Sequence, residues 1–152
     1  MSSHIRPLQE TDVDAVIELH RELGWNPAFQ ADGTTLRQRL SALIGEASAP
    51  LLVAVQDMQV VGYIHGEIIT YLLFAGREML ISEVFVKEQA RGQGVGSELV
   101  AAMEQEAARQ RCFRISVMNS RERESYKRNF YPSLGYNERS QVANFVKRLD
   151  WG

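Results

Sequence analysis

Three glycines lie within five residues of one another, directly after an arginine, in a segment that could bind an anion. They are Gly92, Gly94 and Gly96, and Arg91 precedes them. Glycines let the backbone turn tightly and let a ligand approach without meeting a Cβ atom. A helix that begins here would present amides without helical partners, which favour a phosphate group. The same glycines would also suit a tight turn that binds nothing, and the residues alone leave both interpretations open.

Two other glycine motifs do not fit this segment. A nucleotide-binding P-loop requires Gly-x-x-x-x-Gly-Lys-Ser/Thr, which is absent from the sequence. A dinucleotide fingerprint requires Gly-x-Gly-x-x-Gly in an early βαβ unit, whereas the spacing here is Gly-x-Gly-x-Gly and lies well past the middle of the chain. Both nucleotide-binding classes are therefore disfavoured.

The elements around the glycines decide how these residues are presented. The apolar stretch before them predicts a strand that ends at Val86 or Lys87. The stretch after them, rich in Ala, Glu and Gln, predicts a helix from about Gly94 to Arg109. Its inner face is expected to consist of Leu99, Val100, Met103 and Ala107. The glycine segment is therefore expected to join the end of a strand to the start of a long helix.

The remaining pattern predicts one mixed α/β domain. In chain order we expect β-α-α-β-β-β-α-β-α-β, with a further strand at the end. Residues 56–59 are expected to form a hairpin turn between two of these strands, and Thr11 and Asp14 are expected to form the cap of the first helix.

The helix that follows Asn119 should end near Tyr131, because Pro132 comes next. Residues 135–136 and 142–146 are expected to close the chain as strands.

Composition excludes several classes of protein. The chain has 152 residues, of which 45% are hydrophobic and 24% charged, as in an ordinary globular domain rather than a disordered or collagen-like one. A net charge of −2 argues against a nucleic-acid partner. A single cysteine, Cys112, rules out an internal disulfide and a paired-cysteine metal site, and we expect no bound metal. Without a signal-like start or a long apolar run, we expect a cytoplasmic protein with no membrane partner.

Charge is unevenly distributed along the chain. Residues 1–108 carry 7 basic and 15 acidic side chains, whereas residues 109–152 carry 10 basic and 4 acidic ones. Solvated surface is one explanation. The other is an anionic ligand near the C-terminal half and a cationic one near the N-terminal half.

Arg91–Gly96 resembles the signature of the GCN5-related N-acetyltransferase (GNAT) family, Arg/Gln-x-x-Gly-x-Gly/Ala after a β-strand. Further matches span nearly the whole chain: Ile5–Pro7, Val60–Gly62, Glu83–Val86 and Phe130–Tyr136. The runs Gln89–Gly92 and Phe145–Leu149 look most like the small-amine, aminoalkylphosphonate type of the family. The resemblance implies one N-acetyltransferase domain over residues 1–152, with a mostly antiparallel, splayed sheet flanked by about four helices.

The resemblance implies acetyl-CoA as the cofactor. Its pantetheine arm would pair with the backbone of the fourth strand at Val84, Phe85 and Val86. Its pyrophosphate would bind the loop formed by Arg91, Gly92, Gln93, Gly94, Val95, Gly96 and Ser97. Many members also carry a cofactor-binding asparagine seven residues before the motif tyrosine. Here Glu124 occupies that position, so Asn119 is the candidate contact. Basic residues between 121 and 128 are the alternative, unless they form a solvated helix face.

The resemblance also implies roles for two side chains in the transfer. Glu83 would remove a proton from the amine, directly or through water, with Glu67 as the substitute. Tyr131 would protonate the departing thiolate, because a phenol keeps its proton at neutral pH. A backbone N–H near Phe85 or Val86 would stabilise the oxyanion. Glu83 could instead only pair with a neighbouring cation, and Tyr131 could only pack beside Phe130.

The acceptor is expected to be a small-molecule primary amine. It would lie between the first two helices and the strands that carry His65, Glu67 and Glu83, with Trp25 and Phe29 as walls. A protein N-terminus or lysine is an alternative acceptor, and a non-catalytic acyl-CoA-binding module is an alternative function. Homodimers are common in the family, so a homodimer is one possible assembly, and the sequence leaves the oligomeric state open.

Overall fold

The computed structural model describes residues 3–23 and 31–150, and its framework is a five-stranded sheet. The strands are β1 (His4–Pro7), β2 (Leu51–Gln56), β3 (Gln59–Thr70), β4 (Arg77–Val86) and β5 (Cys112–Val117). They lie side by side in chain order. Neighbouring strands from β1 to β4 are antiparallel, and β5 is parallel to β4. The expected mixed, mostly antiparallel sheet is confirmed.

The described residues also form five helices. They are α1 (Val13–Arg21), α2 (Gly33–Leu43), α3 (Val95–Arg109), α4 (Glu124–Lys127) and α5 (Phe130–Ser133). Single 3₁₀ turns precede α1 and follow β4. The long helix predicted after the glycines is confirmed, and its predicted inner face is buried: Leu99, Val100, Met103 and Ala107.

Successive residues of β3 face alternate sides of the sheet, and helices pack on both sides. Tyr63 joins a core cluster with residues of α1 and α2, together with Val53 and Phe85. On the other face, Gly62 and Gly66 leave room for α3, because a Cβ atom at these positions would lie 3.3 Å from side-chain atoms of Leu99 and Met103, respectively. The helices α1 and α2 therefore cover one face of the sheet and α3 the other.

The hairpin predicted over residues 56–59 is confirmed. Asp57 and Met58 form its tip with φ angles of 47° and 64°. Two consecutive residues with positive φ are typical of a two-residue turn whose twist matches that of the flanking strands. This turn sets the register of β2 against β3.

An ion pair connects β1 to the start of α1. The Arg6 guanidinium donates to both carboxylate oxygens of Asp12, at 2.6 and 2.9 Å, and Asp12 is 4% exposed. The Asp12 carboxylate also accepts the backbone N–H of Gln9 at 2.8 Å. Asp12 therefore closes the turn before α1, where the sequence predicted a cap formed by Thr11 and Asp14.

The chain divides into two compact units, one up to Met118 and one from Asn119 onward. In the second unit, the single predicted helix is replaced by α4 and α5, which are separated by Asn129 in the left-handed region at φ 57°. Pro132 lies inside α5 rather than beyond it, since proline is tolerated in a first helical turn.

The closing strands predicted at residues 135–136 and 142–146 are wrong. Within the described part of the second unit, residues 134–150 form neither strand nor helix. Phe145 and Val146 are exposed, at 92% and 80%. An alternating pattern forms a strand only where another strand supplies backbone hydrogen bonds, and no described strand pairs with this segment. The prediction of one domain over residues 1–152 stays a prediction.

None of the described helices is both long enough and apolar enough to span a membrane.

Candidate functional site

The strands β4 and β5 separate partway along β4. Their pairing runs from Arg77 opposite Cys112 to Ile81 opposite Val117. From Glu83 to Val86, the partner of β4 among the described strands is β3 alone. This confirms the splay that the family resemblance implies. The β5-facing edge of this half of β4 thus offers backbone hydrogen-bonding groups to an extended ligand.

A β-bulge bends β4 where the separation begins. His65 of β3 lies opposite Glu83 and Gly66 lies opposite Ile81, which leaves Ser82 without a counterpart. An extra residue of this kind increases the local twist and redirects the strand. The bulge was not foreseen in the sequence, because alternation around Ser82 gives no signal for one unpaired residue.

The glycine loop follows β4 and leads into α3. Gly94 precedes the helix in the left-handed region at φ 83°, and Gly92 has φ 76°. A Cβ atom at either position would meet nothing within 4 Å. The space beside both glycines is therefore open, so no side chain at these two positions would obstruct a phosphate group that approaches the first turn of α3. Val95 is buried, whereas Gly96 and Ser97 are half-buried in the first turn.

The side chains of Arg91 and Gln93 form hydrogen bonds to backbone carbonyl oxygens of the same chain. Arg91 donates from Nε to the carbonyl oxygen of Val86 at 2.9 Å, and its guanidinium lies 5.8 Å from the Phe85 ring centre. Gln93 donates to the carbonyl oxygen of Gln89 at 3.3 Å. The positive charge of Arg91 is thus fixed where β4 enters the loop.

Val84, Phe85 and Val86 differ in what they can offer a ligand. The Phe85 side chain is 7% exposed and belongs to the core cluster under α1 and α2. Val84 and Val86 are half-buried. The Phe85 side chain therefore cannot contact a cofactor.

Glu83 is exposed on β4, and a buried tyrosine holds its carboxylate. The Tyr63 hydroxyl donates to Glu83 Oε1 at 3.1 Å, while Tyr63 is 2% exposed. Burial raises the pKa of Tyr63 far above its ordinary value, and the Glu83 charge adds to this effect. Tyr63 consequently remains the hydrogen-bond donor in this contact, and Glu83 Oε1 is the acceptor. Tyr63 was not predicted as a site residue, because in the sequence it is one more apolar residue of a strand.

His65 lies directly opposite Glu83, and Glu67 follows two residues later on the same face of β3. Burial lowers the pKa of His65, while the charges of Glu83 and Glu67 oppose that change. Glu67 is exposed. The structure thus brings His65, Glu67 and Glu83 together on the sheet face where the acceptor is expected.

In the second unit, Tyr131 lies in α5 between two other aromatic rings. Its ring centre is 4.9 Å from that of Phe130 and 5.7 Å from that of Tyr136. Burial raises the pKa of Tyr131, and the charge of Arg123 opposes this. The hydroxyl therefore keeps its proton at neutral pH. Asn119 donates from its side chain to Ser125 Oγ at 2.9 Å.

Three other expectations concern Cys112, metals and the acceptor walls. Burial raises the pKa of Cys112, which makes its thiol a poor nucleophile at neutral pH. In residues 3–23 and 31–150, no three His, Cys, Asp or Glu side chains are grouped so that they could hold a metal ion. Trp25 and Phe29 lie outside the described residues.

Comparisons with known proteins agree with this geometry. A family model described as "Acetyltransferase (GNAT) domain" matches residues 47–138. Thialysine N-epsilon-acetyltransferase of Mus musculus is 26% identical over 95% of this chain and 90% of its own length.

Among solved structures, glucosamine-6-phosphate N-acetyltransferase from Arabidopsis thaliana superposes with a TM-score of 0.80. The two chains are 19% identical, and the match covers 99% of this chain and 100% of that one. AAC(6′)-Iy, in complex with the bisubstrate analogue CoA-S-monomethyl-acetylneamine, also gives 0.80, with 18% identity over 98% and 100% of the chains. At these identities the structural matches establish the fold.

Proposed function

This chain belongs to the GNAT acetyltransferase family and is an acyltransferase, and we propose that it transfers the acetyl group of acetyl-CoA to the primary amine of a small molecule. One observation carries the proposal. The splayed half of β4, which pairs with β3 alone among the described strands, leads through one 3₁₀ turn into a loop with two left-handed glycines at the start of α3. An extended arm joined to a pyrophosphate would find backbone partners in that order.

The residues of this segment fit acetyl-CoA. Val84, Phe85 and Val86 would hold the pantetheine arm through their backbone groups. Open space at Gly92 and Gly94 would admit the pyrophosphate to the amides of the loop and of the first turn of α3, from Gln93 to Ser97. Acetyl-CoA supplies the acetyl group as a reactive thioester. Asn119 stays a proposed contact to the cofactor.

Two side chains carry the proposed chemistry. Glu83 takes a proton from the acceptor amine, and the hydroxyl of Tyr63 orients its carboxylate for this. Tyr131, which its raised pKa keeps protonated at neutral pH, donates its hydroxyl proton to the departing thiolate. A backbone N–H near Phe85 or Val86 stabilises the oxyanion as the C–N bond forms.

The acceptor is proposed from the charge of the β3–β4 face. Glu67 and Glu83 are both exposed there, and two carboxylates attract a cationic amine. GNAT acetyltransferases act on amine acceptors. The small size of the acceptor, the walls at Trp25 and Phe29, a homodimer and a cytoplasmic location remain predictions.

Thiol release from acetyl-CoA, measured across a panel of acceptors, tests this proposal. The panel contains aminoalkylphosphonates, thialysine, glucosamine 6-phosphate, and peptides with a free N-terminus or lysine. We expect turnover with at least one small amine, and an acetylated product by mass spectrometry. Turnover with peptides alone would replace the proposal with protein acetylation. Binding of acetyl-CoA without turnover on any acceptor would contradict the proposed transfer.

A further inference from the structure

Residues 142–149, called here the apolar segment, have the pattern of a strand but join none of the described strands. On an extended backbone, Val142 and Val146 would point to one side, and Phe145 and Leu149 to the other. All four side chains are exposed. An exposed apolar stretch of this kind is typical of a surface that another protein covers.

The strand β5 has one free edge among the described strands. It is the last strand of the sheet and pairs with β4 along its other edge. The backbone N–H and C=O groups of the free edge can therefore pair with one more extended chain. Phe113, within β5, and Met118, directly after it, are also exposed. Apolar side chains are thus available next to the unpaired backbone groups.

We propose that the apolar segment of one copy adds as a strand to the free edge of β5 in a second copy, and that the second copy does the same in return. Each copy has one unpaired edge and one segment with the pattern of a strand. Two copies related by a twofold axis therefore satisfy both at once and close the assembly. A different protein would have to supply an edge and a strand together.

Charge favours this pairing. Residues 139–149 carry three basic side chains, Arg139, Lys147 and Arg148, and no acidic one. In the compact unit that contains β5, residues 1–118, the 15 acidic side chains exceed the 10 basic ones. The apolar segment of one copy is therefore attracted to the β5-containing unit of the other.

The contact is large enough for a stable dimer. The four apolar side chains of the segment alone would bury roughly 400 Å² when they are covered. Two surfaces in contact lose similar areas, and each copy contributes both a segment and an edge. Each copy therefore loses about 800 Å², the area that a stable interface buries on each partner.

Sedimentation of the full chain and of three variants tests the proposal. Val146→Pro removes a backbone N–H that a paired strand needs, and Leu149→Ser removes an apolar side chain that is 78% exposed. The matched control is Leu73→Ser, between β3 and β4, where the leucine is 85% exposed. We expect a wild-type dimer, a Kd raised by at least about 30-fold in the first two variants, and the wild-type Kd in the control.

A sample that mixes ¹⁵N-labelled and ¹³C-labelled chains locates the contact without any substitution. We expect nuclear Overhauser effects between β5 amides of one copy and methyl groups of Val142, Val146 and Leu149 of the other. A monomer at every concentration up to about 10⁻⁴ M, a dimer without these contacts, or a wild-type Kd in Val146→Pro overturns the proposal. Equal weakening in Leu73→Ser and Leu149→Ser also overturns it. The proposed acetyl transfer depends on none of these results.

Discussion

Four polar side chains give the β3–β4 face its chemistry, and they are not equivalent. Tyr63, His65 and Glu67 recur at every second residue of β3, so they point to one face, and Glu83 meets them from β4. Glu83 accepts a hydrogen bond from the hydroxyl of the buried Tyr63. Glu67 lies further along β3, opposite Leu80. The contact with Tyr63 favours Glu83 over Glu67 as the residue that takes a proton from the acceptor amine.

Matched substitutions of the two glutamates test this choice. Glu83→Gln keeps an oxygen for the Tyr63 hydroxyl but cannot take a proton, so we expect kcat to fall by about 10²-fold. Glu67→Gln should chiefly raise KM for the amine, since it removes one attracting charge. Steady-state kinetics with the best acceptor measure both effects. If the larger loss of kcat appears in Glu67→Gln, the two roles are reversed.

Tyr131 should act on the leaving group. Tyr131→Phe removes the hydroxyl but keeps the ring contacts with Phe130 and Tyr136, so we expect kcat to fall by about 10²-fold with unchanged acetyl-CoA affinity. The control is Tyr126→Phe, which removes a hydroxyl that donates to Glu138 at 3.0 Å. An unaffected kcat in Tyr131→Phe would remove Tyr131 as the acid.

At the scale of elements, the junction of β4, the glycine loop and α3 is the feature on which the proposed function depends. The antiparallel pairing with β3 supports β4 from one side, while the loss of pairing after Ile81 frees the other. Left-handed backbone at Gly92 and Gly94 then turns the chain into α3.

A matched pair of glycine variants separates ligand binding from backbone strain. Gly94 has φ 83° and Gly45, after α2, has φ 73°, and a Cβ atom at either meets nothing within 4 Å. Alanine at each should cost about 1–2 kcal/mol of unfolding free energy, since both impose left-handed backbone on a residue with a Cβ. Calorimetry should show weaker acetyl-CoA binding only for Gly94→Ala. Equal affinity in the two variants would contradict the placement of the pyrophosphate.

The ion pair before α1 should make stability depend on pH. Hydrogen bonds from Arg6 lower the pKa of Asp12. Its contribution is therefore complete above about pH 3.9, the ordinary value, and is lost as the pH falls through the lower value of the folded protein.

Asp12→Asn should remove this dependence and lower the free energy of unfolding near pH 7 by about 2 kcal/mol. Asp14→Asn breaks the exposed pair with Arg37 and should cost less than about 1 kcal/mol. Urea unfolding between pH 3 and pH 7 measures both variants. Equal losses would show that burial of Asp12 adds nothing.

Sequence patterns predicted elements better than they predicted geometry. The inner face of α3 and the hairpin at Asp57 follow from local periodicity and turn chemistry, and both are confirmed. The unpaired Ser82 and the Tyr63–Glu83 contact depend on the register between two strands, which local patterns do not encode. The closing strands failed for the same kind of reason, since alternation at residues 142–146 does not specify a partner strand.

At the scale of the whole molecule, part of the uneven charge is used in ion pairs. Arg109 pairs with Glu106, Arg114 with the buried Glu78, and Arg121 with Glu138. Three of the ten basic side chains after residue 108 are therefore matched by nearby carboxylates. We accordingly expect the proposed binding of an anionic cofactor to depend on backbone groups and Arg91 more than on net charge.

Titration of the ¹⁵N-labelled full chain with acetyl-CoA, followed by amide spectra, tests the central claim most directly. The claim is that the free edge of β4 and the glycine loop bind the cofactor. We predict the largest shift changes at Ser82–Val86 and Arg91–Ser97, because those amides would bond to the pantetheine and pyrophosphate groups. An absence of binding, or shift changes that avoid both segments, would contradict the account.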